Sequence, residues 1–525
     1  MHVCKLPEVI YATAIITEYN AEVLDMVKKT IHEINGKIRD GSVNVVTAEE
    51  MVDIVGELGA EGAAKEVDVV TTGTFGAMCS SGVWLNFGHS EPPIRISKMW
   101  LNDVEAYSGV AAVDAYIGAT QQSQSKGMDY GGAHVIEDLV RGNSIDIHGI
   151  SPGTDCYPRK VIDTTINIYD LNQAIMLNPR NSYQKYNAAT NSTNHTLHTY
   201  MGALLPHNGN VTYSGAGVLS PMHNDPNYET IGTGTRIFLG GTQGYVVGEG
   251  TQHSPAAGFG TLMLKGDLKE MSPEYIRAAT FKGYGSSLYV GMGIPIPVLN
   301  EDIAKATAVT DDDIVTNVLD YGIPSRDRPV LRTVTYGELR SGSIDINGKE
   351  VPTSPMSSFK KSREIANELK QWIRNGEFFV SMPVERLPRD TACNAMKQTN
   401  ANPHVMDIMS SDVTTIREDA GFHDAAKVIM EKQFNHLPVV DSGNHLVGIV
   451  TAWDISKAVA KDEHNLVKDI MTRKVVTANP DEAVDVSAFK LDSNNVSALP
   501  VIDSNRHVVG IVTSDDISKL LARRH

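Results

Sequence analysis

Two of the chain's four cysteines lie where a thiol is offered for reaction rather than packed away. Cys79 follows the run Thr71-Thr72-Gly73-Thr74-Phe75-Gly76-Ala77-Met78 and precedes Ser80-Ser81-Gly82. Cys156 lies in Ser151-Pro152-Gly153-Thr154-Asp155-Cys156-Tyr157-Pro158-Arg159-Lys160. A structural cysteine is usually embedded among Val, Ile and Leu. A thiol on a Gly/Ser/Thr turn instead meets converging backbone N–H groups, which favour the thiolate. Arg159 and Lys160 push Cys156 the same way, and Asp155 opposes them. The chemistry to expect is therefore nucleophilic or sulfur-transferring, with these two residues as catalytic candidates.

Other constellations are weaker. His195 and His198 have the spacing of a metal pair on one helical face, but their Asn/Thr-rich surroundings do not support a helix, so no metal site is assigned. The glycine runs at 212–217, 232–236 and 240–244 fit neither a P-loop nor a dinucleotide fingerprint, and read as tight turns in a strand-rich body. No Cys-x-x-Cys pair offers an iron–sulfur or zinc ligand set.

The elements that must position these residues fall into two regions. Residues 26–375 read as one α/β (α+β) catalytic block with many strand-like segments. Its helices are expected at 27–35, 48–58 and 357–375. Cys79 is expected at the carboxyl end of the buried strand Val67-Asp68-Val69-Val70, where α/β folds present chemistry. Residues 376–402, with Pro383 and Pro388, read as a linker. Residues 1–25 read as an N-terminal extension, with translation from Met1 or Met26 both open.

The C-terminal region repeats itself. Val405-Met406-Asp407-Ile408-Met409 returns as Val467-Lys468-Asp469-Ile470-Met471, and Leu437-Pro438-Val439-Val440-Asp441 as Leu499-Pro500-Val501-Ile502-Asp503. Gly448-Ile449-Val450-Thr451 returns as Gly510-Ile511-Val512-Thr513, so every offset is 62 residues (405 to 467). Each copy predicts helix, strand, turn, strand and helix, with Thr451 or Thr513 capping the last helix. This pattern resembles a tandem pair of CBS domains, at 403–460 and 465–525. The resemblance implies adenosine-ligand binding by Thr451, Asp454, Thr513 and Asp516: each Asp holds ribose hydroxyls and each Thr lies near the phosphates or their replacement. S-adenosylmethionine, AMP or ATP are the ligands to expect, and the pair is expected to make a homodimer.

Composition narrows the class. The 525 residues carry 46 basic and 63 acidic side chains, a net charge of −17, which argues against nucleic acid or an anionic membrane as a partner. No stretch has the roughly 18–20 apolar residues of a membrane span. The few cysteines and the lack of a signal-peptide pattern suit a reducing cytoplasm.

The block from about 26 to 377 is similar to the homocysteine-biosynthesis family, the L-aspartate semialdehyde sulfurtransferases. The likeness rests on 71–82, Asn86-Phe87-Gly88-His89, Gly153-Thr154-Asp155-Cys156-Tyr157, Asn178-Pro179-Arg180-Asn181, 232–239 and Gly250-Thr251-Gln252-His253. It implies formation of L-homocysteine from L-aspartate 4-semialdehyde and a sulfur donor, with Cys79 and Cys156 as the functional cysteines. It also implies a small ferredoxin-like iron–sulfur protein as partner, which brings electrons to a chain with no tightly bound cofactor. A persulfide on one cysteine delivers sulfur and the other thiol resolves the S–S bond; the cationic neighbours favour Cys156 as the carrier. Arg180 and Arg236 are the candidates for the substrate α-carboxylate. The competing assignments are a CBS-containing dehydrogenase resembling IMP dehydrogenase, and a non-catalytic adenosine-ligand sensor.

Overall fold

The computed structural model describes residues 27–396, 403–461 and 466–522, and divides into two compact units, residues 1–394 and 395–525. The possible extension at 1–25 lies outside the described residues.

Local signals fix the helices of the first unit. Thr30 accepts from Glu33 N and Glu33 reaches back to Thr30, so the first helix runs Ile31–Asp40 rather than 27–35, and ends at Gly41 in the left-handed region. Thr47 and Glu50 make the same box before Ala48–Glu66, which extends past 58 because the chain bends at Gly59 (φ 69°) and resumes. Ser358 caps Phe359–Arg374, whose Ile365, Ala366, Leu369 and Ile373 are buried.

Parallel pairing of the βαβ kind joins Val45–Thr47 to Val69–Thr71 across the Ala48–Glu66 helix. Most of the unit is instead antiparallel. Among the described residues a 15-stranded sheet runs from Val161–Ile166 through Ile145–Ile150, Lys98–Leu101, Asp114–Gly118, Gly82–Asn86 and Gln173–Tyr183 to Gly285–Gly293 and Ile276–Phe281. Its core includes Val83, Leu85, Ile117, Ile136, Met176 and Leu264. A six-stranded mixed sheet, containing Ala188–Thr190, Val211–Tyr213 and Val315–Asp320, carries a separate core around Val318, Tyr336 and Leu339.

This topology corrects the expected setting of Cys79. A further strand, Thr74–Ala77, intervenes after Val69–Thr71 and pairs antiparallel with Gly285–Gly293. Cys79 therefore sits in the turn between two antiparallel strands, Thr74–Ala77 and Gly82–Asn86. The neighbouring glycine serves packing: a Cβ on Gly73 would lie 2.2 Å from the Ser362 carbonyl oxygen, so only glycine lets the Phe359–Arg374 helix approach.

Asp68, 1% exposed, anchors the parallel pair. It accepts from Lys29 at 2.9 Å, Lys37 at 2.7 Å and Asn44 N at 3.0 Å. Residues 376–394 belong to the first unit and pack on it. Phe378, Val380 and Leu387 are buried, Glu385–Arg386 pairs with Gly232–Thr233, and the Pro388 carbonyl accepts from His253 Nε2 at 2.9 Å.

In the second unit the repeats interleave. Met471 packs in the core of the first repeat with Leu437 and Val450, whereas Val405 packs in that of the second with Leu499 and Val512. A Cβ on Gly448 would meet Met471 Sδ at 2.4 Å, and one on Gly510 would meet Met409 Sδ at 2.4 Å. Each repeat thus completes its neighbour, and the repeated Met and Gly positions are where the two copies interlock.

Candidate active site

The Cys79 turn is fixed by backbone and by one buried amide. Met78 N donates to Leu288 O at 2.7 Å and Ser81 N to Met78 O at 3.0 Å. Asn178, fully buried, donates from Nδ2 to Ser81 Oγ at 2.9 Å and accepts at Oδ1 from Arg180 N at 3.1 Å. Ser80 Oγ donates to Arg180 O at 2.5 Å. The Gln173–Tyr183 strand shifts register between Asn178 and Asn181, a bulge that re-aims Arg180 beside the cysteine turn.

Arg180 Nη1 donates to Gln252 Oε1, while Arg180 Nε is buried with no hydrogen-bond partner among the described residues. Gln252 is in the left-handed region (φ 61°), on a loop tied to the strand by Thr251 N to Pro179 O at 2.8 Å. The next residue, His253, is the one that holds Pro388.

Tyrosines close the site. Tyr284, at the tip of the hairpin joining Ile276–Phe281 to Gly285–Gly293, lies close to the Cys79 thiol. Tyr183 lies close to Arg180 and Ser80, and its ring meets Tyr186 with centroids 4.7 Å apart. Tyr200 packs on Tyr284 and shares a 2.5 Å hydroxyl contact with Tyr321, over whose ring the Arg328 guanidinium lies at 4.1 Å. Burial, and then the charge of neighbours including Cys79, pushes the Tyr186 and Tyr284 hydroxyls well above their ordinary range. They stay protonated at neutral pH and act as donors. A thiol facing tyrosine hydroxyls, beside a guanidinium with an unused donor, is suited to a small substrate that carries a carboxylate and an electrophilic carbon.

Cys156 is elsewhere. Its loop joins Ile145–Ile150 to Val161–Ile166, and Tyr157 stacks on His89 with centroids 5.5 Å apart. His89 follows the strand Gly82–Asn86, whereas Cys79 precedes it. The two cysteines are thus at opposite ends of a five-residue strand, roughly 13 Å long at the usual rise. Cys79, Cys156 and Cys393 are free thiols. Arg159 turns its guanidinium to the Glu91 and Pro92 carbonyls, and the Lys160 stem packs over Gly153. Arg236 is also remote: Phe238 and Leu239 pair with Gly293 and Met292, which puts Arg236 beyond the Gly293 end of that strand, opposite the end that carries Tyr284.

In the second unit both Thr-x-x-Asp sets form capping boxes. Thr451 Oγ1 donates to Asp454 Oδ2 at 2.7 Å, and Thr513 Oγ1 to Asp516 Oδ2 at 2.6 Å. Thr451 also lines a cavity of about 520 Å³ between the repeats, with His436, Trp453, Lys474, Asn495 and Ser497. That volume is within the usual range of small-molecule sites. The matched position to Trp453 is Asp515, and to Lys474 it is Asp412, so the second copy lacks the aromatic and the cation. Among the described residues no helix is long and apolar enough to cross a membrane.

Residues 43–380 match the family described as homocysteine biosynthesis enzyme, sulfur-incorporation. The chain belongs to that family. Residues 405–461 and 467–523 each match the CBS domain. The chain is 65% identical over 500 residues to an L-aspartate semialdehyde sulfurtransferase of Methanosarcina acetivorans, covering 95% of this chain and 100% of the relative. It is 54% identical over 512 residues to one of Methanocaldococcus jannaschii, covering 94% and 99%. A solved CBS domain pair in complex with 5′-methylthioadenosine and S-adenosyl-L-methionine is 44% identical, covering 24% of this chain and 100% of that one, with a TM-score of 0.23.

Of the residues the structure gathers here, sequence reasoning named Cys79 and Arg180 but not Tyr183, Tyr186, Tyr284 or Gln252. Gln252 was visible only as part of a segment that resembles the family. The tyrosines come from separate strands and loops among 18 in the chain, and no spacing marks them as neighbours.

Proposed function

We propose that this enzyme transfers sulfur to L-aspartate 4-semialdehyde and reduces the product to L-homocysteine, with Cys79 and Cys156 as its working thiols. The observation that carries this reading is the free Cys79 thiol set close to Tyr284 and Arg180, in a chain so similar over nearly its whole length to named sulfurtransferases. Arg180 takes the α-carboxylate through its free Nε and neighbouring Nη donors, which puts the aldehyde toward Cys79.

The electron balance sets what else is needed. The aldehyde, a persulfide on Cys156 and the Cys79 thiol give a thioaldehyde, water and a Cys79–Cys156 disulfide. Two electrons and two protons then convert thioaldehyde to thiol. Where sulfide is the sulfur source it opens the disulfide at Cys156, regenerating the persulfide and the Cys79 thiol; where a sulfane donor loads Cys156, a further two electrons and two protons first restore the dithiol. A small reduced iron–sulfur protein of the ferredoxin class is the external source. The disulfide step requires the Cys156 loop to release His89 and the Glu91 and Pro92 carbonyls, because the resting positions are at opposite strand ends. The exposure of Cys156 suits loading by an outside donor, and three free thiols suit a reducing cytoplasm.

The CBS pair binds an adenosine ligand in the Thr451 cavity, and a homodimer formed through this pair is part of the same reading. Anaerobic incubation with aspartate semialdehyde, sulfide and a reductant, assayed for homocysteine, tests the activity. Product should form with the unmodified chain and be abolished in Cys79→Ser and in Cys156→Ser; reduction of NAD instead would support the dehydrogenase alternative.

A further inference from the structure

The 62-residue offset carries a pair of residues beyond the Thr-x-x-Asp sets. Asp441 and His445 of the first repeat recur as Asp503 and His507 of the second. In each copy the Asp closes a turn on its own backbone: Asp441 Oδ1 accepts from Gly443 N at 2.8 Å and His445 N at 2.9 Å, and Asp503 Oδ1 from Asn505 N and His507 N at 2.9 Å each. The same carboxylates reach the ring nitrogen of their histidines, at 3.2 Å from Asp441 Oδ1 to His445 Nδ1 and 3.3 Å from Asp503 Oδ2 to His507 Nδ1.

The two turns meet. His445 and His507 form an antiparallel bridge, reinforced by Leu446 N to Arg506 O at 3.0 Å. Residues directly opposite on an antiparallel pair project from the same face with Cβ atoms about 5 Å apart. The rings accordingly lie side by side, centroids 5.0 Å apart and planes within 16°. Both side chains are partly exposed, at 44% and 39%. A carboxylate on Nδ1 fixes the tautomer with Nδ1 as donor and leaves Nε2 as a lone-pair donor, which is the outer-shell arrangement of metal-binding histidines.

We propose that His445 and His507 form a transition-metal site that staples the two CBS repeats, through both Nε2 atoms on one imidazole-seeking divalent cation such as zinc or nickel. Each Nε2 lone pair lies in its own ring plane, so binding requires both rings to turn out of this stacked arrangement about their side-chain torsions to meet a common ion. Water completes the coordination, since among the described residues no group of three or more His, Cys, Asp or Glu is placed to hold a metal. The site is separate from the Thr451 cavity, whose lining includes neither histidine.

The test is calorimetric titration of the full chain with Zn²⁺ and, separately, Ni²⁺, after alkylation of the thiols so that they do not compete. One site should be present in the unmodified chain and lost in both His445→Gln and His507→Gln, because a single imidazole does not hold the ion. Asp441→Asn should weaken it about tenfold or more. The thermal midpoint of the CBS transition should rise with metal in the unmodified chain only, and metal-free midpoints show whether each variant is folded. Equal stoichiometry and affinity in the unmodified chain and a folded His445→Gln, His507→Gln double variant would overturn the site.

Discussion

Tyr284 and Cys79 are close neighbours although they are more than 200 residues apart in sequence, and the antiparallel pairing of Thr74–Ala77 with Gly285–Gly293 is what brings them together. Burial keeps the Tyr284 hydroxyl protonated, so it remains a donor to whatever charge develops on sulfur. Tyr284→Phe keeps the ring and its packing on Tyr200 and removes only that donor. We expect turnover to fall about 100-fold with little change in thermal midpoint, by analogy with loss of one preorganised donor. Unchanged turnover would mean the hydroxyl only packs.

Arg180 makes a sharper prediction because it has a matched control. Lysine cannot reproduce a bidentate guanidinium grip, and a lost hydrogen bond to a charged group costs about 1.5–3 kcal/mol, roughly 10–100-fold in affinity. Arg180→Lys should raise the KM for aspartate semialdehyde by that factor, with a smaller effect on kcat. Gln252→Ala, which frees the guanidinium that Gln252 holds, should raise it less. Arg236→Lys, beyond the strand end opposite Tyr284, should leave KM unchanged; a large effect there would relocate the carboxylate site.

The contrast between these arginines shows how far the sequence was legible. Arg180 and Arg236 have similarly polar, glycine-rich or bulge-prone neighbours, and only strand register separates them. Register in the large sheet joins Gly82–Asn86 both to Asp114–Gly118 and to the start of Gln173–Tyr183, and local periodicity carries no record of such pairings. The capping residues Thr47, Ser358, Thr451 and Thr513 act within three residues, so the starts of the helices from Ala48 and Ala452 were readable from sequence. The CBS pair was readable for a different reason, because a repeat reports itself. The tyrosine shell was not, since its members are joined only by the sheet.

Asp68 gives a stability prediction with a definite pH sign. Burial alone would raise its carboxyl, but the Asn44 N–H and the Lys37 and Lys29 ammonium groups outweigh this and hold it below the usual carboxylate range. A depressed folded value means the stabilisation is present above the unfolded carboxylate pKa of about 3.9 and is lost as pH falls through the folded value. Lys29 is itself lowered, by burial first, so leaving it without Asp68 is costly. Asp68→Asn should cost about 3 kcal/mol at pH 7, the low end for a broken buried pair because Lys37 is 40% exposed. Urea unfolding at pH 7 and at pH 3 should show the variant losing less stability on acidification than the unmodified chain.

The two CBS copies should differ in ligand binding despite their symmetry. Each Asp spends Oδ2 on its capping box, as Asp454 does with Thr451 N at 3.0 Å and Oγ1 at 2.7 Å. Oδ1 takes no part in the box and is left for the ribose hydroxyls under the proposed reading. Only the Thr451 cavity adds Trp453, which offers a face for a purine, and Lys474, which favours a phosphate. The equivalent positions in the other copy are Asp515 and Asp412, which would repel a phosphate. Calorimetry of the full chain with AMP and with S-adenosylmethionine should therefore show one dominant site. Asp454→Ala should weaken it by about 1.5–3 kcal/mol, roughly 10–100-fold, whereas Asp516→Ala should change it by less than about threefold. Lys474→Ala should weaken AMP more than S-adenosylmethionine, because AMP carries a phosphate at its 5′ position where S-adenosylmethionine carries a sulfonium cation. Equal losses in the two Asp variants would mean that both clefts bind, and no heat with either compound would leave the pair a structural role.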